Sequence, residues 1–276
     1  MESGGAVLRN PAWSLLRDLI SDRTGIYFER DTLDLMAGKI SDLMAEQNID
    51  SPLDYYYLLK YEHAGGSEWS RLENAISVRE TYFWRERDQF DALTNTVLPV
   101  LSRESAGPVR IWSAACATGE EPLTIAMALD RTGWFDRIAI KIHATDMSAA
   151  AICAAQRGIY RERSFRNTPE EVRNRYFRRV PDGWEADAGL RRRIQWRQAN
   201  LTNKAAIADV ASSHVIFCRN VFIYFSESAI RSVLKTYGEL MPRPGYLFVG
   251  AAESLLKLTT QFQLQQIGGA FVYVRE

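Results

Sequence analysis

The sequence has no surplus of charge: 34 basic side chains face 34 acidic ones across 276 residues. That balance singles out no nucleic acid, membrane surface or acidic partner for the chain as a whole. Cysteine is scarce. Cys116, Cys153 and Cys218 are odd in number, far apart and in no C-x-x-C pair, which argues against a disulfide framework. Histidine is as scarce, and His63, His143 and His214 lie too far apart for metal-ligand spacing, so no metal is expected. No stretch approaches roughly eighteen uninterrupted apolar residues, so no membrane span is expected. The opening "MESGGAVLRN" shows neither the basic region nor the apolar core of a signal peptide. A reduced, cytoplasmic protein is the expectation, with length for one large domain or for a medium and a small one.

What is present changes character along the chain. Up to about residue 80 the pattern is helical. Trp13, Leu16, Leu19 and Ile20 form one apolar stripe, and Leu33, Met36, Ile40 and Leu43 form another. Ser51 and Pro52 read as a helix start, with Gly65 and Gly66 as its stop. From about residue 108, short apolar runs ("VRIWSA", "IAIKIHAT", "VIFCRN", "YLFVGA") alternate with helical segments, which suggests a parallel sheet with crossovers. The end, "FQLQQIGGAFVYVRE", reads as a hairpin around Gly268 and Gly269. The fold class is therefore α/β of Rossmann type behind a small helical N-terminal domain.

The stretch "SAACATGEEP", residues 113–122, joins the strand "VRIW" to a helix. Such a junction cradles cofactors, but this one has a single glycine, Gly119, and ends in Glu120 and Glu121 where phosphate loops carry lysine. Two carboxylates at a positive helix end repel phosphate and suit a cationic ligand. S-adenosylmethionine, with an ammonium, a sulfonium and no phosphate, has that chemistry. First-turn acids are also ordinary helix capping, and of the two Glu120 is expected to be the more exposed. Asp146 ends the next strand at a spacing suited to ribose hydroxyls, although an aspartate there also caps helices. In "VIFCRNVFIYF", Arg219 and Asn220 interrupt an apolar run, as polar groups facing a ligand do, and Tyr224 follows close by.

Seven segments in order, "VRETYFWRE", "IWSAACATGEEP", "ATDMS", "GIY", "RQANL", "FCRNVFIYF" and "GYLFVGAAESL", resemble the motifs of the CheR-type chemoreceptor glutamate methyltransferases. The resemblance runs over nearly the whole chain. It implies a helical domain and connecting segment over residues 1–85. A class I S-adenosylmethionine-dependent methyltransferase domain follows over 86–276, with a small β-subdomain inserted at about 176–199. The implied reaction moves the methyl group of S-adenosylmethionine to a glutamate carboxylate of a methyl-accepting receptor, giving a γ-methyl ester and S-adenosylhomocysteine. The resemblance places Thr81 and Arg85 at the cofactor, Glu121 at its methionine end and Asp146 at its ribose. It puts Asn200, Leu201, Arg219 and Asn220 along the adenosine side, and Arg85 and Tyr224 at the catalytic centre. A glutamate with a pKa of about 4.3 is already ionised at neutral pH and needs no general base. A non-catalytic cofactor-binding module and a nucleic-acid methyltransferase are the alternatives. No nucleic-acid partner is expected, since "RNVFIY" lacks the prolines usual for exocyclic-amine methylation, and a monomer is expected.

The chain also departs from the family pattern. Arg79 stands where the family usually has asparagine, and Phe83-Trp84-Arg85 replaces the usual Phe-Phe-Arg. The helix over 31–47, basic in the family, carries Asp31, Asp34, Asp42 and Glu46 against Lys39 alone. Positive charge collects instead between Arg157 and Arg197, where twelve arginines meet six acids. That segment reads as a solvated face, as a dock for acidic receptor helices or, with its interleaved aromatics, as an RNA surface. Receptor docking through it is the expectation carried forward.

Overall fold

A computed structural model describes residues 10–61 and 66–276; His63 and Gly65 lie outside the described residues. Four helices build the N-terminal unit: α1 (Pro11–Thr24), α2 (Leu33–Glu46), α3 (Pro52–Tyr61) and α4 (Ser67–Ile76). Their ends follow local chemistry. The Asn10 side chain accepts the Ala12 amide ahead of α1, and Gly25 closes that helix in the left-handed region. The Asp54 amide donates to Ser51 Oγ at 3.4 Å, so Ser51 caps α3 as expected. The apolar stripes converge on one core in which Leu16, Ile20, Met36, Ile40 and Leu72 are buried. Each such side chain contributes about 1.5–3 kcal/mol.

From Val109 the chain alternates strand and helix. The strands are β1 (Val109–Ala114), β2 (Ile140–Asp146), β3 (Ile159–Tyr160), β4 (Phe177–Val180) and β5 (Gly183–Ala186). They continue as β6 (Ile194–Gln198), β7 (Val215–Cys218), β8 (Gly245–Phe248), β9 (Gln263–Ile267) and β10 (Ala270–Arg275). Seven of them form one sheet in the order β6-β2-β1-β7-β8-β10-β9. The first five run parallel, and β10 pairs antiparallel with β8 and β9. Counted along the chain, this is the 3-2-1-4-5-7-6 sheet of a class I methyltransferase. Two helices matter for the site: α5 (Glu120–Arg131) after β1, and α6 (Ala149–Arg157) after β2.

The small sheet lies earlier in the chain than the sequence suggests. Its strands, in the order β3-β5-β4, fall within residues 159–186 rather than 176–199. The segment "IQWRQ" belongs to the large sheet: β6 pairs in parallel with β2, from Ile142 opposite Ile194 to Asp146 opposite Gln198. As an edge strand with only Ile194 buried, it shows little of the apolar alternation that marks a strand.

The two units are sewn together by backbone. Ile26 and Phe225 form an antiparallel bridge, Tyr27 N–H donates to Tyr224 O at 2.8 Å, and Ser226 N–H donates to Gly25 O at 2.9 Å. Gly25 is required there: with φ at 80°, an added Cβ would come within 2.8 Å of the Phe225 ring and 2.9 Å of Thr202. On the other flank, Ser148 Oγ donates to Asn74 Oδ1 at 2.6 Å, tying α4 to the start of α6.

Candidate functional site

Strand order reverses between β1 and β7, and open α/β sheets bind ligands beyond the carboxyl ends of the strands at such a point. The loop after β1 is shaped for close approach. Ala115 (φ 59°), Ala117 (φ 48°) and Gly119 (φ 96°) all lie in the left-handed region. Each alanine held there costs about 1–2 kcal/mol. Neighbours enforce the shape: Ala117 N–H donates to Asp146 Oδ2 at 2.9 Å, and Cys116 N–H to Thr145 O at 2.9 Å. A Cβ on Gly119 would lie 2.8 Å from that of Ala155, so the loop packs against α6. Left-handed non-glycine residues clustered at a switch point mark a working loop.

Four carboxylates lie around this point; Asp146, Glu120 and Glu253 are buried, and the Glu121 side chain is 14% exposed. Asp146 takes the amides of Ala117 and Ser148, at 2.9 and 2.8 Å, so it holds both the loop and the residue that caps α6, Ser148. Burial pushes its pKa up, while the Ser148 and Ala117 N–H groups pull the other way. Glu121 accepts Ser113 Oγ at 2.6 Å and faces Arg219 Nη1 at 3.3 Å; burial again raises its pKa and Arg219 opposes the rise. Glu253 collects four backbone amides, those of Asn220 and Gly250 (both 2.7 Å), Phe222 (2.8 Å) and Ile223 (3.3 Å).

The fourth carboxylate corrects an expectation. Glu120 is not exposed: it is 3% accessible, accepting Ser164 Oγ at 2.9 Å and Thr118 Oγ1 at 2.7 Å. Ser164 comes from the connection between β3 and β4, a long-range cover that α5 alone does not reveal. Burial raises the Glu120 pKa above its ordinary 4.5, and the two hydroxyls only partly offset it. A carboxyl with a raised folded value binds its proton more tightly folded than unfolded, so ionising it costs stability as pH rises above the unfolded value. Glu120→Gln keeps an acceptor for one hydroxyl and a donor for the other. It is expected to raise Tm at neutral pH and to leave it unchanged at about pH 4, where both states are protonated. Thermal melts with a lower Tm at neutral pH would show that the ionised form is needed.

Two adjoining recesses open beside these groups. The larger, of about 420 Å³, lies within the range of small-molecule sites and is lined by Asp146, Asn200, Leu201, Asn220 and Tyr224, among others. The smaller, about 50 Å³, is lined by Thr81, Arg85, Glu121, Arg219 and Asn220, with Tyr82 and Phe90. Val78, Ala115 and Asn220 line both, so the recesses meet at the loops after β1 and β7. The structure thus brings every site residue expected from sequence into one cleft. Arg85 and Tyr224 line different lobes of it.

Arg219 lines the Glu121 lobe and Asn200 the larger one, and the Arg219 guanidinium is tied down. Nη2 donates to Arg85 O at 2.6 Å and pairs with Glu86 at 3.3 Å, and the group stands over the Phe90 ring at 5.4 Å. Asn200 is engaged too, donating to Arg23 O at 2.7 Å and accepting from Thr202 N at 2.9 Å, so it also joins the two units.

Sequence reasoning missed the contribution of the N-terminal unit. Thr24, Ile26, Tyr27, Phe28, Leu35 and Lys39 all line the larger recess. Lys39 is half-buried, and burial together with Arg79 lowers its pKa. It also missed Glu86, Ser113 and Glu253; only Glu253 carried a signal, as the one acid inside the motif "GYLFVGAAESL".

The cleft chemistry fits S-adenosylmethionine: Asp146 and Glu121 line it, and the larger recess adds apolar walls from Ile26, Phe28, Ala199 and Leu201. Among the described residues, no group of His, Cys, Asp and Glu is arranged to hold a metal, and no helix is long and apolar enough to cross a membrane. Fold and cleft define a class I S-adenosylmethionine-dependent methyltransferase. Residues 79–270 match the S-adenosylmethionine-binding domain model of the CheR methyltransferases, and residues 11–77 match their all-α domain. The chain belongs to the CheR methyltransferase family. It is 30% identical to chemotaxis protein methyltransferase 2 of Vibrio cholerae, over 94% of this chain and 91% of that one. It is also 30% identical to chemotaxis protein methyltransferase 1 of Pseudomonas aeruginosa, over 96% and 97%. A third relative, the probable biofilm formation methyltransferase WspC of Pseudomonas aeruginosa, is 33% identical over 75% of this chain and 49% of its own.

Proposed function

We propose that this protein methylates glutamate side chains of a receptor protein, giving γ-methyl esters. The observation that carries the reading is a cleft with bound carboxylates for the cofactor and, in Arg85 and Tyr224, polar groups for an incoming acid, with no His or Cys in its lining. An ionised glutamate needs no base, so alignment and exclusion of water are what the residues must supply. When bound, S-adenosylmethionine supplies an electrophilic methyl group. The glutamate oxygen gains that methyl, and the electron pair of the broken bond remains on the sulfur of S-adenosylhomocysteine.

In this reading Asp146 meets the ribose hydroxyls through its remaining lone pairs, and Glu121 the methionine ammonium, from the lobe that Thr81 also lines. Asn200, Leu201 and Asn220 bound the adenosine. Arg219 acts through Glu121 and the Arg85 carbonyl, fixing both. Arg85 draws in the substrate carboxylate, and the Tyr224 hydroxyl orients it. The methyl ester test is mass spectrometry of candidate receptors after incubation with labelled cofactor. A base-labile ester on glutamate is the expected product, and labelled nitrogen or nucleic acid would overturn the reading.

Tyr224→Phe is expected to keep S-adenosylhomocysteine affinity within about twofold while turnover falls at least about tenfold, the scale of one lost hydrogen bond. Full turnover would remove the hydroxyl from the chemistry. Arg85→Ala is expected to lose both binding and turnover; normal calorimetric binding would confine Arg85 to the substrate.

Receptor docking runs, in this reading, through the arginine-rich segment Arg157–Arg197. Arg191 is a poor choice for charge reversal, since it donates to Ala186, Gln156 and Arg157 carbonyls and pairs with Glu185. Arg173, Arg178 and Arg179 are likewise held by Glu162 or Glu185. Arg157, Arg161 and Arg192 are exposed. Reversing these three to Glu is expected to raise KM for the receptor, more at low salt than at high, and leave cofactor affinity unchanged. An unchanged KM at low salt would return the segment to a solvated face.

A further inference from the structure

Arg85 and Arg219 both line the smaller recess, and the structure holds them in opposite ways. Arg219 is fully engaged: it donates to Arg85 O at 2.6 Å and pairs with Glu86 and Glu121, each at 3.3 Å. Arg85 is half-buried and forms no ion pair among the described residues. Its one side-chain hydrogen bond, from Nη1 to Glu80 O, is 3.5 Å long, the outer limit for such a contact. The Glu80 carboxylate goes elsewhere, to Arg166 at 3.2 Å. A long side chain held so loosely by polar groups keeps several rotamers open unless something else fixes it.

What fixes it is a ring. The Arg85 guanidinium stands over Tyr82, 5.4 Å from the ring centre, and Tyr82 lines the same recess. The negative face of an aromatic ring attracts a guanidinium. Unlike a carboxylate anchor, the ring takes none of the cation's N–H donors, so these stay available for a bidentate acid. An acidic anchor in the same place would compete with the substrate. The ring is shared, since Arg166 stands over it at 3.7 Å. Arg166 follows Phe165 in the connection between β3 and β4, and it does not line the recess.

We propose that Tyr82 is a positioning residue for methyl transfer: its ring holds the Arg85 guanidinium at the recess and leaves its donors free for the acceptor carboxylate. The inference rests on the glutamate-methylation reading, in which Arg85 draws in the substrate acid. Tyr82 acts only through Arg85 and touches neither reacting group. Its contribution therefore falls on capture of the carboxylate, the KM for the receptor, rather than on kcat. Arg166 is the rival route for any effect of the ring, because it lies nearer to the ring centre and belongs to the arginine-rich segment.

The test changes the electrons of the ring and hardly its size, on the full chain. Tyr82→Phe keeps the ring, and mono-, di- and pentafluorophenylalanine at position 82 weaken its negative face stepwise. Methylation is followed on a receptor shown by mass spectrometry to carry the ester, and urea midpoints verify folding. Tyr82→Phe is expected to keep kcat and receptor KM within about twofold. Fluorination is expected to raise KM in order, by at least about fivefold with the pentafluoro ring, and to change kcat little. Should that variant not fold, the mono- and difluoro rings decide by the same trend. The same fold-rise is expected in an Arg166→Gln background, whatever that change does to KM itself. A flat KM along the series overturns the inference, since a ring that only fills space gives that result. A rise that vanishes with Arg166→Gln also overturns it, because the ring then works through Arg166. Activity lost in Tyr82→Phe overturns it by assigning the role to the hydroxyl. All three outcomes leave glutamate methylation standing. A parent protein that forms no glutamate ester on any receptor overturns both readings.

Discussion

Glu253→Ala is expected to cost at least about 3 kcal/mol of stability and to abolish S-adenosylhomocysteine binding, because four backbone amides depend on that one carboxylate. Oε2 accepts Asn220 and Gly250, both at 2.7 Å, and Oε1 accepts Phe222 at 2.8 Å and Ile223 at 3.3 Å. A stranded buried donor costs about 1–3 kcal/mol, and water entering the vacated space offsets part of the sum. The loss reaches the site because three of those amides belong to the turn that carries Asn220 and Tyr224. Asn220 is itself in the left-handed region, with φ at 57°, and needs outside support to stay there. Glu253→Gln, which keeps one acceptor oxygen, is expected to fall between the two. Urea denaturation and calorimetry decide the matter: an alanine variant within about 1 kcal/mol of the parent, binding normally, would mean the turn holds its own shape.

How far the sequence reveals this depends on the distance over which each feature is set. β1 is legible because "VRIWSA" is an apolar run flanked by a turn, and the structure starts and ends the strand at those residues. The hairpin around Gly268 is legible for the same reason. The left-handed alanines are not, since nothing in Ala-Cys-Ala-Thr-Gly requires them; Asp146, brought in by the next strand, holds Ala117 in place. The burial of Glu120 is hidden because its cover, Ser164, lies 44 positions away. Arg219 and Asn220 are adjacent and look like one pair, but the guanidinium is long enough to reach Glu121 and Glu86 in the other lobe. The N-terminal wall of the cleft depends on Tyr27 meeting Tyr224, a contact no local pattern encodes. Local chemistry thus exposes the strands and most of the residues around the cleft, and misses what long-range packing alone decides.

Arg219→Ala is expected to destabilise the protein by about 3–5 kcal/mol, the cost of removing one partner from a buried ion pair. The Arg219 side chain is 2% accessible, with Glu121 and Glu86 both 3.3 Å from its guanidinium. Without it, two carboxylates face each other in a site that burial already makes unfavourable for charge, and Glu86 pushes the Glu121 pKa further up. The penalty is the price of ionising Glu121, so it is expected to be largest at neutral pH and to shrink as pH falls toward the ordinary carboxyl value of 4.5. Adding Glu121→Gln removes the stranded charge while keeping an acceptor for Ser113. The double variant is therefore expected to recover part of the lost stability at neutral pH, yet to remain unable to bind S-adenosylhomocysteine, since the carboxylate proposed to meet the ammonium is gone. Denaturation midpoints across pH separate the two effects. If the double variant is no more stable than Arg219→Ala alone, the role of Arg219 lies in its hydrogen bond to the Arg85 carbonyl rather than in its charge.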